Sequence, residues 1–306
     1  MKRRDFIFNS VGAGLATGMG LYSNNLFGSV SQVSADLPYD MIAVKGGEAE
    51  DMFEKAIAAL GGMKQFVKPN QNVVIKPNIG WDAPPERAAN TNPKLVAKII
   101  EHCLRAGAKN VYVFDNTCDN WQKCYKNSGI EKAVNDAGGK IVTGGSESMY
   151  QEIDVVKGSS LKKAKVHELL LSSDVFINVP VLKHHHGTTV TSALKNLMGV
   201  VWDRGWWHRN DLPQCIADFP TFKKPDLNIV DAYKVMKANG PRGISNADTV
   251  TLKAQIISTD IVAADVAAIK LYGLEPESIG YMEKAQAAGV GTMNLDSLKI
   301  NRLSMS

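Results

Sequence analysis

Lys183 stands directly before three histidines, His184, His185 and His186, and these close an apolar run that begins at Val175. Ammonium and imidazole groups gathered at one point can hold an anion and move a proton near neutral pH. A second apolar run, Val73 to Ile75, ends in Lys76-Pro77-Asn78, and a third group, Lys195-Asn196, follows the histidines. If both runs are strands of a parallel sheet, Lys76 with Asn78 and Lys183 with the histidines emerge at the carboxyl edge, where open α/β sheets bind ligands. Lys76, Lys183 and Lys195 would supply positive charge there, and the amides of Asn78, Asn178 and Asn196 directional hydrogen bonds. That combination suits a carboxylate, a phosphate or a developing oxyanion. Lys183, His184, Lys195 and His208 are therefore the candidate catalytic groups, and Lys76, Asn78, Asn178 and Asn196 the candidate anion-binding groups.

The histidines also admit a metal. In an extended chain side chains repeat every two residues, so His184 and His186 would point one way and His185 the other. Two imidazoles on one face could begin a divalent-metal site, completed by His208, Asp203, Asp231 or Asp265. The candidate ligand set is His184, His186, Asp231 and Asp265. Asp265 sits among Ala263, Ala264, Val266 and Ala267. A buried carboxylate needs a partner, so a lysine, an arginine, a metal or the pocket itself is expected beside it. Against these readings stands a plainer one: lysines after strands are often solvated, asparagines often satisfy turn backbone, and a histidine run can be loop surface.

The elements that must position these groups are legible as alternation. Strands are expected at Met41 to Val44, Val73 to Lys76, Val111 to Phe114, Val175 to Val179, Leu227 to Val230 and Ala254 to Ser258, with helical patterns between them. This predicts a three-layer α/β domain with a mostly parallel sheet covered on both faces. Asn92-Pro93 is the start signal of a helix ending at Gly107, with Leu95, Val96, Ile99, Ile100, Cys103 and Leu104 as its apolar stripe. A second helix is expected from Asp260 to Leu271, its acidic start at the positive helix end. Residues 188–224 break the alternation and hold Trp202, Trp206, Trp207 and His208, so an irregular insertion near the site is expected. Its tryptophans offer a stacking platform, a lid or a partner surface.

Composition narrows the class. The 306 residues carry 35 basic against 31 acidic side chains, a net charge of +4 that argues for neither nucleic acid nor an acidic membrane surface. With 44% apolar and 22% charged residues, and no run near the ~20 apolar residues of a mature membrane helix, the chain reads as a globule. Residues 1–35 are read as an export signal: Lys2, Arg3 and Arg4, then a glycine-rich mildly apolar stretch, then Val33-Ser34-Ala35 as a cleavage pattern. The Arg3-Arg4 pair before Asp5-Phe6-Ile7 resembles a twin-arginine signal, which implies the translocation machinery as partner and a periplasmic location, the signal being cleaved or retained as an anchor. Residues 36–306 then form a single domain.

Cys103, Cys118, Cys124 and Cys215 contain no C-x-x-C pair, which argues against an iron–sulfur cluster held by this chain alone. Cys118 and Cys124 could pair in an oxidising compartment or remain free. The G-x-S-x-G elbow, the G-x-x-x-x-G-K phosphate loop and the H-E-x-x-H helix are missing.

Four stretches together resemble the family known as domain of unknown function 362. They are Val74 to Asn78; Asn178 to His186 with Ala193 to Gly199; His208 to Asp218; and Asn228 to Ala232 with Gly240-Pro241 and Ser258 to Asp265. The resemblance implies a domain and a context but no reaction. Some members are fused to ferredoxin-like modules, which this chain lacks. The leading reading is an exported protein whose pocket takes a small anionic ligand, with a metal- or cofactor-assisted reaction on it. The fused relatives and the export route suggest a second reading, a redox accessory or maturation protein serving an iron–sulfur enzyme, with a redox protein as partner. A third is ligand binding without chemistry.

Overall fold

The structure, a computed structural model, describes residues 37–305; the export segment expected over residues 1–35 lies outside them. The strands, in chain order, are β1 (Met41–Lys45), β2 (Asn72–Pro77), β3 (Asn110–Val113), β4 (Lys140–Ile141), β5 (Tyr150–Asp154) and β6 (Lys163–His167), then β7 (Val175–Val179), β8 (Val181–His185), β9 (Thr189–Thr191), β10 (Leu227–Met236), β11 (Thr249–Ser258) and β12 (Ile300–Ser304). The main sheet runs β12-β1-β11-β10-β7-β2-β3-β4, with β8 pairing both β10 and β9. Its pairs are parallel except where β11 joins β1 and β10 and where β8 meets β9. The protein is thus mixed α/β with a large, mostly parallel sheet.

Alternation along each strand sends side chains to two cores. In β2, Val73 and Ile75 join the core under the helices Ala49–Ala59 and Pro93–Arg105, whereas Val74 joins the core under the helices Ile261–Tyr272 and Leu212–Asp218. The helix Pro93–Arg105 forms as expected. The Asn92 side chain accepts from Lys94 N at 2.9 Å, Pro93 occupies the first turn, and Leu95, Val96, Ile99, Ile100 and Cys103 are fully buried. Burying each such aliphatic side chain contributes about 1.5–3 kcal/mol. The helix Ile261–Tyr272 is buried nearly all round, is capped by Asp260 through Val262 N and Ala263 N, and stops at Gly273, whose φ of +93° suits glycine.

Two expectations change. β10 and β11 run several residues beyond the predicted Leu227–Val230 and Ala254–Ser258, because their half-exposed ends carry polar residues such as Lys234 and Thr251 that are still paired in the ladder. The segment 188–224 is not irregular. It folds into β9 and the short helices Ala193–Asn196, Arg204–Arg209 and Leu212–Asp218, the last two capped by the side chains of Asp203 and Asp211. Trp207 is buried beside Phe219, and Trp202 packs on Tyr150, so these two tryptophans serve the core. Among the described residues, no helix is long and apolar enough to cross a membrane.

Candidate functional site

At the carboxyl ends of β2 and β7, beside the start of β10, the alternation places polar side chains on the face shared with Val74. Lys76 is in register with Asn178, Asn178 with Asn228, and Asn228 with Ser258. These groups satisfy one another inside the protein. Asn178 Nδ2 donates to Asn228 Oδ1 at 3.0 Å and to the Ala193 carbonyl at 3.0 Å. Asn196 Nδ2 donates to Asn178 Oδ1 at 2.9 Å, and Lys76 Nζ donates to Asn196 Oδ1 at 2.7 Å. Such a connected row fixes side-chain positions, since any member left unpaired would carry the full desolvation cost.

Above this row lies a cavity of about 290 Å³. Lys76 and Asn78 reach it from the end of β2, Lys183 and His185 from β8, Lys195 and Asn196 from the helix Ala193–Asn196, and Arg204 and His208 from the helix Arg204–Arg209. Trp81, Cys118 and Thr191 also line it, together with Asp115 just past β3. Lys76 and Asp115 form an ion pair of 3.0 Å with both side chains buried. Asp115 Oδ2 also accepts from Ile79 N at 2.7 Å, which ties the loop after β2 to the end of β3. Gly199 closes over this pair so tightly that a Cβ would stand 1.9 Å from Asp115 Oδ1 and 2.5 Å from Lys76 Nζ.

Burial dominates the electrostatics. It lowers the Lys76 ammonium pKa against the opposing pull of Asp115. It lowers Lys183 to about 7, helped by the nearby Lys195 and Lys76, and Lys195 to about 8, helped by Arg204 and Lys76. Desolvation and then the lysines push His185 down to about 2, and His208 is lowered by desolvation and then by Lys195 and Arg204. His185 Nδ1 accepts from Gly187 N at 3.0 Å, which assigns its proton to Nε2. Lys183 Nζ donates to the Ala89 carbonyl and to Asn78 Oδ1, the latter at 3.2 Å. Arg204 is held by the carbonyls of Asn116 and Thr117.

The structure brings together Lys76, Asn78, Lys183, Lys195, Asn196 and His208 of the expected residues. It does not bring His184 and His186 to the cavity. Lys183 lies on the inward face of β8, so the residue two further on, His185, shares that face; His184 turns away and its Nδ1 accepts from Gly240 N, while His186 is exposed. Asn178 sits beneath Asn196 rather than at the wall.

The aspartates are spoken for by backbone. Asp231 accepts from Asn92 N at 2.8 Å and Tyr233 N at 3.1 Å. Asp265 accepts from the amides of Ala193 and Leu194, the latter at 3.1 Å, so its partners are neither lysine, arginine nor metal. Burial raises both carboxyls to about 6 against these amides. Asp203 caps its helix through Trp206 N at 3.1 Å. The expected ligand set of His184, His186, Asp231 and Asp265 is therefore not assembled, and among the described residues no group of three or more His, Cys, Asp or Glu could hold a metal ion.

The cysteines are free. Cys118 is exposed at the cavity wall, whereas Cys124 is buried with its thiol toward the Gly80 carbonyl at 3.7 Å, so this pair is not joined. Cys103 and Cys124 lie in one core and Cys215 in the other, on opposite sides of the sheet.

Sequence reasoning missed Asp115, Arg204, His185, Cys118 and Thr191. Asp115 was within reach, because the carboxyl-edge rule applied to Lys76 applies equally to the residues after Phe114. Arg204 carried no such signal, since it approaches from a helix distant in sequence.

A family model for a domain of unknown function, DUF362, matches residues 73–270. Over 250 residues the chain is 27% identical to the thylakoid-associated protein sll1697 of Synechocystis sp., taking in 76% of this chain and 72% of that one. The lactate racemase apoprotein from Thermoanaerobacterium thermosaccharolyticum superposes with a TM-score of 0.49 at 13% identity, covering 75% of this chain and 56% of that one, so the chain spans little more than half of that structure's length. The matched stretch contains every residue named above in the cavity wall, and the chain belongs to the DUF362 family.

Proposed function

We propose that this is an exported protein whose cavity binds a small anionic ligand, a carboxylate or a phosphate, and moves a proton at it. One observation carries the reading: Lys76, Lys183, Lys195 and Arg204 converge on a small cavity to which, among the described lining residues, only Asp115 brings a carboxylate. Buried cations of one sign repel one another unless an anion sits between them. Lys183, lowered to about 7, exists in both protonation states near neutrality and is the group suited to general acid and base work. His185, kept neutral, donates an N–H without adding charge. Export rests on the Arg3-Arg4 pattern and the apolar, small-residue stretch behind it.

Titration calorimetry with inorganic phosphate tests the pocket. Binding should be accompanied by proton uptake near pH 7 to 8, because an anion raises the lowered lysines back toward their charged form. Affinity should therefore fall as the pH is raised through that range. Lys183→Met should weaken binding about tenfold or more, the worth of one charge-assisted hydrogen bond. Phosphate binding that is absent, or that is indifferent to both pH and Lys183, would refute the reading.

A further inference from the structure

The three cavity lysines are not equivalent. Lys76 is committed to Asp115 and Asn196, and Lys183 to Asn78 and the Ala89 carbonyl. Lys195 is only 8% exposed, yet its Nζ has no hydrogen bond or ion pair among the described residues. Beside it on the same wall, the hydroxyl of Thr191 is buried and equally without a partner. The Lys195 Nζ opens onto the cavity, and an ammonium desolvated on its other sides with no protein acceptor is costly there. Arg204 and Lys76 raise that cost further and Cys118 eases it, so the amine is lowered to about 8. An amine so placed is a nucleophile more than an anchor, because a structural lysine needs an acceptor and this one has none.

We infer that Lys195 is the covalent group of this pocket, forming a reversible Schiff base with the carbonyl carbon of a small 2-oxo acid. This rests on the anion-pocket reading, since the acid's carboxylate is what the cations of the cavity would hold. The neutral amine adds to the carbonyl carbon, and the carbonyl oxygen becomes the hydroxyl of a carbinolamine. That hydroxyl takes a proton from a neighbouring acid, for which Lys183 is placed, and leaves as water; the nitrogen lone pair closes the C=N bond. The product is an iminium and one water, with no oxidant or reductant consumed. The positive nitrogen then withdraws electrons from the adjacent carbon, the usual service of a lysine imine.

The test treats the full chain with 2-oxobutyrate and sodium cyanoborohydride and maps the reduced adduct by peptide mass spectrometry, with phosphate binding measured in parallel. The expected result is an adduct concentrated at Lys195 that falls about tenfold or more when phosphate occupies the cavity, exposed lysines serving as the internal control. Lys195→Arg should lose the adduct, since a guanidinium forms no imine with the oxo acid; an adduct of undiminished yield in that variant would place the imine on another lysine and overturn the assignment. Mapping on the unaltered chain stands whether or not that variant folds. Phosphate binding without an adduct at Lys195, or with an adduct spread evenly over surface lysines, overturns the Schiff base and leaves the pocket reading intact. Absence of both phosphate binding and a Lys195 adduct overturns the two together.

Discussion

At the scale of single residues, the site depends on buried charges whose partners are fixed. Removing Asp115 leaves Lys76 buried and uncompensated, so Asp115→Ala should destabilise the protein by about 3–5 kcal/mol, read as a lower urea midpoint at unchanged slope. A loss below about 1 kcal/mol would show that water or another group replaces the carboxylate. Gly199→Ala should act on the same pair from outside, because the added methyl has no room between Asp115 and Lys76; weakened phosphate binding is the expected readout. The histidines separate by strand parity. His185→Ala should lower phosphate affinity several-fold, and His186→Ala, on an exposed side chain, should leave it unchanged. Equal effects would mean that β8 is not seated as described.

At the scale of elements, two helices are tied by their first turns. Asp260 caps the helix Ile261–Tyr272 through Val262 N and Ala263 N, both at 2.9 Å, and its other oxygen accepts from Thr292 N at 2.9 Å. Asp260→Ala should cost about 1–2 kcal/mol in a denaturant titration while phosphate binding persists, since this cap lies outside the cavity wall. Asp231 does similar work between β10 and the start of Pro93–Arg105. These carboxyls look like ligands in a one-dimensional listing because aspartate is both a metal ligand and the best partner for orphaned backbone N–H groups. The choice is made by whatever lies opposite, which here is the amino end of a chain segment.

At the scale of the whole molecule, buried imidazoles and carboxyls together set the response to acid. His167 is fully buried, stacked on Phe114; its Nε2 meets the Thr143 carbonyl at 3.1 Å and its Nδ1 accepts from Leu169 N at 3.2 Å, a pattern that suits only the neutral ring. Burial lowers its pKa from 6.5 to about 4. The unfolded chain therefore binds the proton first, so this stability is present above pH 6.5 and is lost as the pH falls toward 4, on the order of 3 kcal/mol in all. Asp231 and Asp265 oppose the trend, because carboxyls raised to about 6 favour the folded state at lower pH and lose that contribution as the pH rises through 6. The net slope of the urea midpoint with pH is set by these opposing groups together, so the test is a difference: relative to the unaltered chain, His167→Phe should gain stability as the pH falls from 6.5 toward 4, and an unchanged pH profile would assign acid sensitivity elsewhere. Much of this architecture was legible in the chain itself. Apolar periodicity, Asn92-Pro93 and Asp260 mark elements whose causes lie within a few residues, and the strand-end lysines announced a polar edge. Strand β8 and the helices of segment 188–224 were hidden because their polar residues mask the periodicity and their apolar ones are buried only against remote elements. The identity of the inward histidine, the pairing of Lys76 with Asp115, the arrival of Arg204 and the isolation of Lys195 were decided only by the tertiary structure. Local sequence sets which faces alternate, but the sheet's long-range pairing selects the face that looks into the cavity and the charges that meet there.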